Sequence, residues 1–477
     1  MNKIYSLAIC QIMFSAMLYA QTKTPQKATT KKATNVSAVS KASVANKSKP
    51  TMPNPTEINM LKHPNWCVNN TIYEVNLRQY AQDASFKNFE KELPRLKKMG
   101  VDILWFMPIH PIGEKGRKGS LGSYYAVKDY EAVSTEYGTM NDFNHLVKAI
   151  HGMGMKIIID WVANHTSPDN VWVEKHSDYF TKDKEGNFVP PVPDWSDVID
   201  LNYDNKNMRK AMIDAMSFWL AKVDIDGFRC DVAEMVPTDF WIECRKELDK
   251  VKPVFMLAEG EKPELHKAFD MTYTWSFYNT MKAVIKGEKS RTDIINYFDN
   301  QKKEYSANDI RMYFTSNHDE NTWNATEFEA FGNAHKAVSA ITATLPGMPL
   351  IYSGQESAQK KHLKFFDKDT IEWKKYENNE FYSQLMFLHK KSRALALNAK
   401  MEILDLKNDN IFAYKRIGVG EEILVIVNLK NALENYVTPK EIDGSYKDVS
   451  GFQAFLKTGQ SQSLEGYQYM VLRKEIK

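Results

Sequence analysis

The chain has 477 residues, 43% of them hydrophobic and 26% charged, ordinary values for a globular protein long enough to hold one large barrel-type domain and a smaller one. Outside the extreme N-terminus no apolar run reaches the length of a bilayer span, which argues against a membrane-spanning protein. The net charge of +3 hides an asymmetry: residues 1–50 hold eight lysines and no acid, leaving residues 51–477 at −5, and a mildly acidic body argues against nucleic-acid binding as the main task.

Read from the N-terminus, residues 1–20 have the pattern of a signal peptide. Lys3 supplies the basic start, Ile4 to Leu18 the apolar stretch, and Ala20 a small residue before a cut at Gln21. Export, to the periplasm or the medium, is the expectation. Residues 21–57, rich in Lys, Thr, Ser and Ala, lack the apolar content to build a core and read as a solvated, disordered linker. Once Cys10 leaves with the leader, Cys67, Cys230 and Cys244 remain, which allows at most one disulfide and gives no zinc pattern.

From Trp66 onward, short β-like runs alternate with helical patterns. The runs are Ile72–Leu77, Ile103–Pro108, Lys156–Val162, Gly227–Asp231, Val254–Glu259, Met271–Trp275, Arg311–Asn317 and Leu350–Ser353; helices are expected over Phe86–Met99, Asn141–Met153, Met208–Val223 and Asp239–Val251. Strands apolar throughout, such as Ile157-Ile158-Ile159, suit a parallel sheet buried on both faces. Eight such units predict an α/β fold, a (β/α)8 barrel of the TIM type, over residues 58–165 and 200–395. Residues 166–199 are too long and polar for a simple loop and predict a small inserted domain. After 395 helical patterning stops, and Ile411–Lys415, Glu422–Asn428 and Tyr467–Leu472 predict a C-terminal antiparallel β-domain over 396–477.

In such a barrel the polar residues at the C-terminal strand ends converge on one face. The third run ends in Asp160-Trp161-Val162-Ala163-Asn164-His165, the fourth in Arg229-Cys230-Asp231, the fifth in Glu259 and the seventh in Asn317-His318-Asp319. One acid after a strand is usually a cap or an ion-pair partner; an ordered set of acids, histidines and an arginine points to chemistry, because burying such charge is costly unless it is paired. Glycoside hydrolysis needs one ionised and one protonated carboxyl group flanking the scissile bond. Arg229 shares a strand face with Asp231 by the two-residue period and is expected to hold that carboxyl low and ionised, while apolar neighbours favour a protonated Glu259.

These segments resemble the four ordered motifs of the α-amylase family of glycoside hydrolases (family 13), and the likeness runs from about Ile72 to the C-terminus. The resemblance implies a barrel with an inserted domain B and a C-terminal β-sandwich, and a retaining mechanism with a covalent glycosyl-enzyme. By position it implies Asp231 as nucleophile, Glu259 as general acid/base and Asp319 as the carboxylate that binds sugar hydroxyls, with Asp160, His165, Arg229 and His318 completing the subsite. Gly122–Tyr130 resembles the segment that supplies a sugar-stacking tyrosine, here Tyr125. Asp200-Leu201-Asn202 resembles the motif closing domain B, and Gly347–Glu356 the eighth strand and its loop.

The implied substrate is an α-1,4-glucan or maltooligosaccharide, with no cofactor for the chemistry. A structural calcium between domains A and B would use Asn164 and Asp200 or Asn202. Two departures bear on specificity: Glu234-Met235 stands where many family members have Lys-His, and domain B is short. An α-glucosidase or transglycosylase acting on short α-glucosides remains an alternative, as does a non-catalytic glucan-binding relative.

Overall fold

A computed structural model describes residues 61–373 and 375–476. The expected leader (1–20) and linker (21–57) lie outside the described residues.

Eight parallel strands close into a barrel: β1 (Ile72–Val75), β2 (Ile103–Phe106), β3 (Lys156–Trp161), β4 (Gly227–Cys230), β5 (Phe255–Ala258), β6 (Met271–Tyr273), β7 (Ile310–Tyr313) and β8 (Met348–Tyr352). Around the barrel the order is β1-β8-β7-β6-β5-β4-β3-β2. Apart from Lys156 every residue of these strands is buried, as a sheet enclosed by helices requires. The helix Met140–Gly152 shows how the outer layer forms. Thr139 and Asp142 cap it reciprocally, and Phe143, Leu146, Val147 and Ile150 recur at helical spacing on its buried face.

Register decides which side chains meet at the barrel mouth. Asp160 lies opposite Arg229 between β3 and β4, and Cys230 lies opposite Ala258 between β4 and β5. The ladder continues past the strand ends, with Asp231 N donating to Trp161 O at 2.9 Å and Glu259 N to Cys230 O at 3.0 Å. Gly227 permits the close approach of β4 to β5, since a Cβ there would stand 1.9 Å from Phe255 O.

Two expectations are refined. The single helix over Phe86–Met99 is two, Phe86–Glu90 and Leu93–Met99, because Pro94 has no N–H to donate and fits only a first turn. Met208–Val223 belongs to a helix over Lys206–Phe218 that widens into a π turn, Trp219–Val223, and stops at Asp224 with φ of 66°.

The inserted segment projects from β3. His165–Thr166 pairs antiparallel with Ile199–Asp200 at its base, and bridges Phe180–Leu201 and Lys182–Phe188 brace the rest. The C-terminal region forms a six-stranded antiparallel sheet, Lys400–Leu404, Ile411–Gly418, Glu421–Asn428, Tyr469–Glu475, Gly444–Asp448 and Gln453–Leu456 in spatial order, with a separate two-stranded ribbon of Glu434–Val437 and Ser461–Leu464. Cys67, Cys230 and Cys244 are all buried free thiols. Among the described residues no helix is long and apolar enough to cross a membrane.

Candidate active site

The C-terminal ends of β3, β4 and β5 bring three carboxyl groups to one guanidinium. Arg229, fully buried, donates through Nη1 to Asp160 Oδ1 at 2.8 Å and to Asp231 Oδ1 at 3.0 Å. Its Nη2 lies 3.0 Å from Glu259 Oε2, an ion pair off the line of a hydrogen bond, and its Nε donates to Tyr273 OH at 3.2 Å. The rings of Trp105 and Tyr273 lie 5.1 and 5.7 Å from the guanidinium carbon, so the cation is held among π faces as well as anions. The expected sharing of one strand face by Arg229 and Asp231 is what the structure shows.

A second group forms across the mouth from β7. His318 Nε2 is 2.7 Å from Tyr125 OH and 3.4 Å from Asp319 Oδ2, while its Nδ1 is 2.5 Å from Glu74 Oε1. Tyr125 OH also donates to Asp160 Oδ2 at 3.2 Å, as does Trp105 Nε1. Tyr125 thereby joins the two groups into one network, in which Asp160, Arg229, Asp231, Glu259, Tyr125, His318 and Asp319 all take part.

Electrostatics correct one expectation. Burial, then the neighbouring Glu259, push Asp231 well above the usual carboxylate range, and Arg229 opposes them without prevailing. The physical reason is stoichiometric: one guanidinium faces Asp160, Asp231 and Glu259 together, so it cannot keep Asp231 low on its own. Nor does Glu259 sit among apolar neighbours alone, since its Oε2 accepts the N–H of Val232 at 2.6 Å in addition to facing Arg229. Burial raises Asp160 to about 6 against Arg229 and Asp319 to about 6 against His318. For His318, burial lowers the value, but Asp319 and Glu74 outweigh it and raise the imidazole to about 9.

His165 stands apart from this network. It is buried, its Nδ1 meets Asn164 Nδ2 at 3.2 Å, and its ring packs edge-on to Trp195; burial lowers it to about 3, leaving it neutral. The candidate calcium donors Asn164, Asp200 and Asn202 lie at the base of the inserted segment, where Leu201 N donates to Asn164 O at 3.2 Å. Asn164 turns its amide to His165, the Asn202 side-chain oxygen accepts Asp204 N at 3.1 Å, and Asp200 bonds to Thr181.

Four residues contribute that sequence reasoning passed over. Glu74 was visible as the one acid in an apolar strand, and Trp105 and Tyr273 as aromatic residues of strands. Val232 carried no signal: it adopts φ 37° and ψ 46°, a left-handed conformation costly for a β-branched residue, and this aims its N–H at Glu259. The segment it begins grips the loop after β5, with Ala233 N donating to Glu259 O at 3.1 Å and Glu234 Oε1 accepting Glu261 N at 2.5 Å and Lys262 N at 3.0 Å.

Comparison with known proteins agrees with this geometry. The profile of the alpha amylase catalytic domain matches residues 85–195 and 192–394. Alpha-amylase 3 of Dictyoglomus thermophilum is 26% identical over 449 residues, 78% of this chain and 86% of that one. Alpha-amylase MalA of Haloarcula japonica is 25% identical over 80% of this chain, which spans 58% of MalA's length. Among solved structures, an alpha-amylase from Lactobacillus plantarum superposes with a TM-score of 0.78 at 31% identity, covering 85% of this chain and 99% of the other. The noncanonic maltogenic alpha-amylase AmyB from Thermotoga neapolitana gives 0.77 at 32%, covering 86% and 99%.

Proposed function

The chain belongs to the α-amylase family of glycoside hydrolases, and we propose that it hydrolyses α-1,4 bonds of starch-type glucans or maltooligosaccharides with retention, through a covalent intermediate on Asp231. The observation that carries this reading is the convergence of Asp160, Asp231 and Glu259 on the single buried guanidinium of Arg229.

A retaining reaction needs one carboxyl ionised and its partner protonated at the start. Asp160, Asp231 and Glu259 share the one cation of Arg229, and burial and mutual repulsion resist a full set of negative charges, so the group holds a proton in common. In this reading that proton serves through Glu259 once substrate is bound. Glu259, reached by solvent on 15% of its side chain, gives its proton to the glycosidic oxygen as the bond to the anomeric carbon breaks. Asp231 attacks that carbon from the opposite face and forms an ester. Glu259, now ionised, takes a proton from water, whose oxygen attacks the anomeric carbon and releases Asp231, so two inversions give net retention.

In this reading Asp319, 29% exposed and paired with His318, accepts hydrogen bonds from ring hydroxyls of the distorted sugar. Asp160 fixes the orientation of Arg229 and Tyr125 below it. The reading includes export, on the leader pattern of residues 1–20.

The test is product analysis on maltoheptaose, pullulan and starch, with the anomer of each new end read by NMR at early times. Release of α-anomers, predominantly by transfer to water, is the expected result. Release of β-anomers would remove the covalent Asp231 step, and dominant transfer to sugar acceptors would favour a transglycosylase.

A further inference from the structure

Beyond Tyr125 the barrel mouth carries further aromatic rings, Phe365, Phe366 and Trp323, for which the reaction above has no use. Trp323 sits in the π turn Glu320–Asn324 directly after Asp319 and is 39% exposed. Its ring centroid lies 5.1 Å from that of Phe365 and 5.9 Å from that of Phe366. Phe365 in turn lies 6.1 Å from Tyr125, within 9° of parallel. Tyr125, Phe365 and Trp323 therefore form a ledge that runs from the carboxylate network out to solvent.

The ledge is rigid. Asn321 Nδ2 donates to Lys361 O at 3.1 Å, and Leu363 N returns a bond to Asn321 Oδ1 at 3.0 Å. Gln79, at the end of the helical turn after β1, donates to Lys364 O at 2.5 Å and Asp367 O at 2.8 Å and accepts from Asp369 N at 2.6 Å. Leu121 N donates to Phe366 O at 2.9 Å. Stapled on three sides, the supporting loop needs little further ordering when a ligand arrives.

Its place in the barrel gives it a direction. The loop carrying Phe365 follows β8, which with β1 stands across the closed barrel from β4 and β5, the strands that end at Asp231 and Glu259. Glu259 marks the side from which the leaving group departs, so the ledge flanks the other side, that of the glycone. A pyranose presents an apolar face of C–H groups and a polar rim, and a flat, exposed indole recognises that face without needing hydrogen bonds.

We propose that Trp323, propped by Phe365 and Phe366, is the stacking platform for a glucosyl ring of the glycone chain beyond the ring at Tyr125, and that it makes the enzyme select α-glucans by length. The proposal rests on the α-glucan reading above.

Trp323→Ala and Trp323→Tyr test it on chromogenic aryl α-glycosides whose glycone holds one or three glucosyl rings. Trp323→Ala should lower the ratio of kcat/KM for the three-ring over the one-ring glycone by about tenfold, roughly 1.4 kcal/mol, through KM rather than kcat. Trp323→Tyr, which keeps an aromatic face, should recover most of that ratio. An unchanged ratio in Trp323→Ala, with the wild type active, overturns the platform and leaves the α-glucan reading standing. A wild type that cleaves neither glycoside nor maltoheptaose overturns both.

Discussion

Glu74 Oε1 stands 2.5 Å from His318 Nδ1, and both residues are buried at the floor of the cleft. The other oxygen of that carboxyl group has no hydrogen-bond partner, an arrangement that costs stability unless the charge is used. His318 also meets Tyr125 and Asp319, while Arg229, from β4, opposes its protonation. Glu74 thus acts through His318 on two groups that face the sugar, as a positioning residue.

Glu74→Gln keeps the shape and an acceptor for Nδ1 but removes the charge. His318, raised to about 9 with Glu74 among the causes, should then lose its proton at lower pH. The alkaline limb of kcat/KM against pH should move down by about one unit, with the melting temperature at neutral pH little altered. An alkaline limb that stays in place would show that His318 protonation does not depend on Glu74.

Asp231→Asn removes the attacking oxygen anion and should lower kcat by about four orders of magnitude or more, while the dissociation constant for maltoheptaose stays within about threefold. Glu259→Gln should lose less on aryl glycosides with acidic leaving groups than on maltoheptaose, since such groups depart without a proton. Azide should then give a glycosyl azide of α configuration. Isothermal titration and pre-steady-state kinetics separate the two variants.

Asp319 should be a source of instability at neutral pH. A carboxyl whose folded value is raised from 3.8 to about 6 binds its proton more tightly in the folded chain. It supports folding below its unfolded value, and that support is lost as pH rises through about 6. Asp319→Asn should therefore be inactive yet more stable at neutral pH, by about 1 kcal/mol once solvent screening at a partly exposed site is allowed for. The gain should vanish in denaturant titrations run below the unfolded value.

Glu234 departs from the Lys-His of many relatives, and its position explains what it does instead. Its Oε1 holds the N–H groups of Glu261 and Lys262, in the loop that follows Glu259. Glu234→Ala should cost about 1–2 kcal/mol of stability and lower kcat more than it raises KM. Glu234→Gln, which retains a carbonyl acceptor, should restore most of both. Equal kinetic loss in the two variants would mean that the negative charge, not the grip on the loop, is what matters.

What the sequence determined by itself follows from local rules. Apolar runs ending in a charged residue, as at Asp160, Asp231 and Glu259, mark barrel strands and the face on which they open, because period and hydrophobicity are local properties. Arg229 and Asp231 share a face for the same reason. The tertiary structure decided the rest. Glu74 and His318 are 244 residues apart, and only closure of the barrel between β1 and β8 brings them into contact. The ledge likewise needs Trp323 from the β7 loop and Phe365 from the β8 loop to stack. The ionisation of Asp231 shows the difference most directly. Along the chain Arg229 is its nearest charge and argues for a low value, but with β3, β4 and β5 side by side that one cation is divided among three carboxyl groups, and burial and long-range charge outweigh the local neighbour.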